Sequence, residues 1–243
     1  MSDTSKSNDA VWRDAEKVAA WAARSGERER ARVLARQMMA DLLPFEPQAE
    51  FTFVDLGAGT GAASRVILDR FPAASAVLAD YSSEMMSEGA RQLEGYEGRY
   101  RYVAIDLEAG RWPAELSGGL DAVVSSLCVH HLSDGRKQGL FSEVIERLSP
   151  GAWYLNYDPV KAEDPSVEEA WQAAHDRRDP AAAEKRADRS PEEQAHYENH
   201  IRHIIPLAPQ LAFLRSAGFE AVDVYWKELD HVIMGGRRPF SGQ

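Results

Sequence analysis

The stretch Phe51-Thr52-Phe53-Val54-Asp55-Leu56-Gly57-Ala58-Gly59-Thr60-Gly61 limits what this chain can fold into more than any other. Its first half is a run of strand formers; its second half has glycine at alternate positions. Glycine removes both the Cβ and the restriction on φ, which a turn needs when its backbone must lie against a ligand. After the turn, Ala63, Val66, Ile67, Arg70 and Phe71 recur at helix-face spacing. The glycines therefore join a strand to a helix N-terminus, and the free N–H groups and positive dipole end of that helix would face the crevice outside the strand. This is the ligand corner of a doubly wound α/β sheet.

Two chemistries use such a corner. Gly57-x-Gly59-x-x-Ala62, with Asp80 further on, fits the loose dinucleotide fingerprint. The fuller string, an acid at Asp55 followed by Gly57, Gly59 and Gly61, resembles motif I of the class I S-adenosylmethionine-dependent methyltransferases. That resemblance covers roughly 51–159 and 210–239. It implies an α/β fold: a doubly wound, Rossmann-like sheet of seven strands with an antiparallel last strand, N-terminal helices, and a helical insert before the final helix. The domain reading is an N-terminal helical cap at 1–50, a cofactor-binding core at 51–159, a helical insert at 160–207 acting as substrate lid, and a closing helix and β-hairpin at 208–243.

Composition narrows the partners. A net charge of −11 leaves no basic surface overall to neutralise a phosphate backbone, so nucleic acid is not expected. One cysteine, Cys128, permits no intramolecular disulfide and fits a reducing compartment. The polar residues 1–9 predict no secretory leader, and no apolar run has the length of a membrane span. The expectation is a cytoplasmic protein with a small-molecule substrate; its oligomeric state stays open.

The N-terminal region reads as two helices. The first, Val11 to Trp21, has Trp21 and then Arg24 within reach of a ligand in similar enzymes. The second, Glu27 to Leu43, is expected to turn Val33, Leu34, Gln37, Met38 and Leu42 inward. Strand two, Ala76 to Asp80, ends on an acid that the resemblance assigns to the ribose hydroxyls. Tyr81 follows, and Ser82 or Ser83 can cap the next helix. In the family a methionine at this place packs on the adenine, which selects Met85. Strand three, Arg101 to Ile105, leads into Asp106-Leu107, which resembles the adenine site. Strand four, Leu120 to Ser126, opens into Ser125-Ser126-Leu127-Cys128-Val129-His130-His131-Leu132. This ending resembles the subgroup related to the ubiquinone and menaquinone biosynthesis enzymes. There the residues just past the strand contact the methionine half of the cofactor, so Ser125, Ser126 and Leu127 are candidates. The cofactor set is thus Asp55, Gly57, Ala58, Gly59, Gly61, Asp80, Tyr81, Met85, Asp106, Leu107, Ser125, Ser126 and Leu127, with S-adenosylmethionine as the cofactor.

A helix from Ser133-Asp134 to Leu148 and strand five, Ala152 to Tyr157, come next. The segment 160–207 is rich in alanine and mixed charge, with helices expected at Ser166 to Arg177, Pro180 to Arg189 and Pro191 to Ile204. Leu214-Arg-x-Ala-Gly-Phe219 and two closing strands, Ala221 to Trp226 and Val232 to Gly235, resemble the antiparallel end that class I methyltransferases add and dinucleotide dehydrogenases lack.

Methyl transfer from a sulfonium is an in-line displacement. The enzyme must position the nucleophile and, for a hydroxyl or amine, remove a proton. His131, just past the cofactor's strand, is the candidate base; Tyr157 and Asp158, at the end of strand five, are the other candidates, and His130 is expected to point elsewhere. His196, His200 and His203 share one helix face. The outer two lie roughly 10 Å apart along the axis, too far to share one tetrahedral ion, so no metal is expected and substrate lining is the alternative to packing. Cys128 reads as an inert thiol. The sequence predicts a methyltransferase acting on a small molecule at oxygen, nitrogen or carbon. Two rivals remain: a carboxy-S-adenosylmethionine synthase-like enzyme, which would need an arginine aimed at the extra carboxylate, and a non-catalytic S-adenosylmethionine-binding regulator.

Overall fold

The computed structural model describes residue 14 and residues 27–241. The helix expected over Val11 to Trp21, with Trp21 and Arg24, lies outside the described residues. The elements run in the order α1 (Glu27–Asp41), β1 (Thr52–Leu56), α2 (Ala62–Arg70), β2 (Ser75–Asp80), α3 (Ser83–Gln92), β3 (Tyr100–Ala104), β4 (Leu120–Ser126), α4 (Asp134–Arg147), β5 (Leu148–Pro159), α5 (Pro165–Arg178), α6 (Pro180–Ala187), α7 (Pro191–Ile201), α8 (Leu207–Ser216), β6 (Glu220–Glu228) and β7 (His231–Arg237).

The seven strands form one sheet in the order β3-β2-β1-β4-β5-β7-β6. The first five are parallel, while β7 runs antiparallel to both of its neighbours. Both faces are covered because the inner strands are apolar on both sides. Phe53, Ile67, Leu68 and Phe71 fill one face together with α1. Val54, Leu56, Phe141 and Val144 fill the other under α4. The chain order reverses between β1 and β4, which opens a crevice beyond their carboxyl ends.

Two local expectations are corrected. On α1 the buried stripe is Ala35, Arg36, Met39 and Ala40, continued by Leu43, while Val33, Leu34 and Met38 are exposed. The helix carries two apolar stripes, and the one containing alanines allows close approach to α2 and brings Arg36 inside. The second correction concerns α4, which stops at Arg147 because Leu148 is already extended. Strand β5 therefore begins at Leu148 and absorbs Pro150-Gly151 as an irregularity in its pairing with β4. The insert helices begin where Asp-Pro or Ser-Pro predicts, with side-chain caps from Asp164, Asp179 and Ser190. None of the three buries a residue fully. Among the described residues no helix is long and apolar enough to cross a membrane.

Candidate functional site

A cavity of about 790 Å³ occupies the crevice, walled by the glycine turn, the ends of β2 and β3, the chain after β4, and the end of α7. Its volume lies in the range of small-molecule sites. The turn is held by β2. The N–H groups of Gly57 and Ala58 donate to the Ala79 carbonyl at 2.8 and 3.2 Å, and the Gly59 N–H donates to Asp80 Oδ2 at 2.7 Å. These three donors of the turn are spent on fixing the loop.

Close approach explains the glycines. A Cβ at Gly57 would lie 2.0 Å from Cys128 Sγ, one at Gly59 would lie 2.9 Å from Met85 Cε, and both residues have positive φ. Gly61 caps α2 in the left-handed region and packs against Leu78 and Leu93 rather than lining the cavity. The Tyr102 hydroxyl braces the loop from beneath by donating to the Gly59 carbonyl at 3.0 Å.

Three acids sit at the ends of adjacent strands. Asp55 is fully buried and accepts from Ser64 Oγ at 2.8 Å on Oδ2. Its Oδ1 is buried and has no hydrogen-bond partner among the described residues. Burial pushes this carboxyl up to about 7, against the lowering effect of the Ser64 hydroxyl. Burial also raises Asp80, but the N–H groups of Ser82 and Gly59 counter it. Asp106 is exposed at the rim and accepts from the Glu108 N–H at 2.9 Å. Tyr81, Met85 and Leu107 line the same end.

Beyond β4, Leu127 takes a positive φ of 58°, a conformation an L-residue adopts only when its surroundings impose it. The chain is thereby re-aimed so that Ser126, Leu127, Cys128 and His131 face the cavity. Ser125 turns the other way, with its hydroxyl donating to the Leu56 carbonyl at 2.8 Å. Cys128 is a cavity wall rather than a core residue, and burial raises its thiol well above the usual range, so it stays neutral.

The catalytic candidates separate. His131 lines the cavity, and burial, followed by His130, His200, His203 and Lys137, holds its imidazole well below the usual value. Asp158 does not line the cavity. It is buried behind His130, accepting from the His130 N–H at 2.7 Å and lying 2.7 Å from His130 Nδ1. Tyr157 also lies off the cavity, packed edge-on to Trp226, and burial raises its phenol. At neutral pH it remains protonated, which removes the reason to consider it as a base.

Among the other lining residues, Arg36, Asn199 and Arg202 carry no sequence signal of their own, whereas His200 and His203 belong to the spaced histidines. Arg36 reaches in from α1, donating to Glu29 at 2.9 Å and lying 3.5 Å from Ser126 Oγ. From the insert come Asn199, His200, Arg202 and His203. The helix expected to run to Ile204 ends at Ile201, so His200 on α7 and His203 in the turn beyond it reach the cavity, and His196 does not line it. Lys137 of α4 is buried and donates to the His203 carbonyl, which ties the end of the insert to the core.

A family model described as a methyltransferase domain matches residues 53–151. A Deinococcus radiodurans protein named trans-aconitate 2-methyltransferase is 34% identical over 118 residues, which cover 48% of this chain and 40% of that protein. The chain thus matches under half the length of this curated relative. Among solved structures, PigF with SAH superposes with a TM-score of 0.66 at 16% identity, covering 94% of this chain and 61% of that one. Phosphoethanolamine N-methyltransferase 2 of Haemonchus contortus, in complex with S-adenosyl-L-methionine, gives 0.57 at 18% identity, covering 80% and 38%. These two likenesses establish the fold. Over residues 53–151 the chain is thus similar to a methyltransferase domain, set on a seven-stranded sheet whose last strands run antiparallel.

Proposed function

We propose that the protein moves a methyl group from S-adenosylmethionine to a small organic acceptor, with residues 160–207 as the lid over the acceptor. The observation that carries this reading is one cavity lined by Asp55, Asp80 and Asp106 from three adjacent parallel strands around the glycine turn. The site fits the cofactor on its own terms. Asp55 Oδ1 is a buried acceptor with no donor among the described residues, and the bare backbone at Gly57 and Gly59 leaves room where a Cβ would clash. Each Asp80 oxygen takes one backbone N–H and keeps a lone pair for the ribose hydroxyls. Asp106 would accept from the adenine amine, with Met85 and Leu107 covering the ring.

The bound cofactor supplies an electrophilic methyl on a sulfonium. The chain's own task is to hold the acceptor in line with it and take its proton. His131, kept neutral by burial, is the group positioned to do so. At the lid end, Arg202 lines the cavity and the matched relative is named for a tricarboxylate, which together favour an acceptor bearing a carboxylate. Arg36, the arginine a carboxy-S-adenosylmethionine synthase would need, is already paired with Glu29, so the methyltransferase reading is preferred.

Calorimetry tests the assignment. S-adenosylhomocysteine should bind saturably without competition from NAD, and Asp80→Ala should weaken that binding at least about tenfold through loss of charge-assisted hydrogen bonds. Saturable NAD binding would reverse the reading. His131→Ala should lower turnover roughly 10²-fold or more while leaving S-adenosylhomocysteine affinity near wild type.

A further inference from the structure

Two chain segments far apart in sequence bring three imidazoles together over the acceptor end of the cavity. His130 and His131 lie on the 3₁₀ turn Val129–His131 that follows β4, and His200 lies near the end of α7. One ring nitrogen from each lies within 4.8 Å of the other two. The ring centroids are separated by 4.0 Å for His130–His131, 4.8 Å for His131–His200 and 5.4 Å for His130–His200. We propose that His130, His131 and His200 bind a divalent transition-metal ion of the zinc or cobalt type, fastening the insert to the core.

The outer shell supports a ligand role over mere packing. Asp158, 1% exposed on β5, holds His130 twice, through its backbone N–H and through Nδ1, both at 2.7 Å. A carboxylate on Nδ1 fixes the tautomer that leaves the Nε2 lone pair available and sets the ring plane, which is the arrangement metal-bound histidines use. Asp158, a candidate base from its place at the end of β5, acts instead one residue removed, as the positioning group for His130.

Donor chemistry selects the ion. Three imidazoles suit zinc, cobalt, nickel or copper, whereas magnesium and calcium take oxygen ligands. In a tetrahedral site with bonds of about 2.0–2.1 Å, ligand nitrogens stand roughly 3.4 Å apart. The present spread is wider, so binding requires His200 to draw inward. The helix that carries it, α7, buries no residue fully, so such a shift breaks up no packed core of its own. Three protein ligands leave a fourth position, the mark of a site that meets water or substrate. His131 and His200 both line the cavity, so that position opens toward the acceptor; a ligating His131 has given its lone pair to the ion, so its role as base belongs to the ion-free form. Only this last step rests on the methyl-transfer reading; ion binding itself does not.

The test uses the full chain, stripped with chelator and titrated with Co²⁺ or Zn²⁺. Wild type should bind one ion, with visible Co²⁺ bands of tetrahedral intensity by absorption and a micromolar or tighter constant by calorimetry. Amide exchange across 191–203 should slow on Zn²⁺ addition. His200→Ala should weaken binding at least about 100-fold and abolish the slowing, Asp158→Asn should weaken it about 10–100-fold, and His196→Ala, on the same helix but outside the cluster, should bind as wild type does. Absence of stoichiometric binding in wild type, or an unchanged constant in His200→Ala, overturns the proposal. S-adenosylhomocysteine titrated into the same samples keeps the two readings apart. Cofactor binding without metal binding sinks only the metal site, and metal binding without cofactor binding sinks only the methyl-transfer reading.

Discussion

Gly57 shows how one missing methyl group positions a site. Its φ is 66°, and a Cβ there would stand 2.0 Å from Cys128 Sγ and 2.5 Å from Cys128 Cβ. Gly57→Ala should therefore cost about 1–2 kcal/mol for the left-handed backbone, plus about 1–3 kcal/mol for overpacking. A fall in melting temperature of several degrees would register this. Cys128→Ala should rescue little, because it removes only the sulfur and leaves the Cβ contact; full recovery in the double variant would show that the sulfur alone was the obstacle. Asp55 is the other residue with a sharp expectation. Its carboxyl sits at about 7 because of burial, and its Oδ1 has no partner among the described residues. If a cationic group of the cofactor meets it, binding needs the ionised form, so affinity for S-adenosylhomocysteine should weaken roughly tenfold from pH 8 to pH 6. Asp55→Asn should flatten that dependence, and a wild-type constant independent of pH would remove the pairing.

At the scale of elements, what was legible in the sequence followed from local rules, and what was not followed from packing partners. Strand β4 was readable because Leu120 to Ser126 is a nearly continuous apolar run, suited to a sheet covered on both faces. The insert helices were readable from their Pro-preceding caps. The buried face of α1 was not, because both of its stripes satisfy the same periodicity and only contact with α2 distinguishes them. The reach of His200 into the core turn was equally hidden. A helix face can be read from spacing, but what it faces depends on the fold. Lys137 belongs to this class, a lysine with no exposed surface that is spent on the His203 carbonyl and lies 3.5 Å from Asp134. Lys137→Met keeps the stem and removes the tie. The Michaelis constant for the acceptor should rise roughly tenfold, the loss expected for one charged hydrogen bond, while cofactor affinity holds. Equal losses in both would mean that the lysine supports the whole core rather than the lid.

For the whole molecule, the site makes opposing demands on stability as pH changes. Asp55 has a folded pKa above its unfolded value, so the folded state holds a proton that the unfolded state releases between about pH 4 and 7. Its contribution is largest at the acid end of that window and is lost as pH rises. His131 is shifted the other way, so the unfolded chain takes up a proton below about 6.5 that the folded chain refuses. Its effect is to lower stability as pH falls. Between about pH 5 and 6 Asp55 alone would tilt the unfolding free energy by roughly 1.4 kcal/mol per pH unit, and His131 tilts it with the opposite sign. The two slopes oppose each other in the wild type. His131→Gln should unmask the first slope, gaining stability relative to wild type as pH falls, and Asp55→Asn should unmask the second, losing stability over the same range. Urea unfolding of chelator-treated, cofactor-free protein at pH 5, 5.5 and 6 measures both differences. Parallel profiles for the three proteins would mean that the carboxyl and the imidazole titrate in the folded chain as they do in water, and the electrostatic description of the cavity would fall with them.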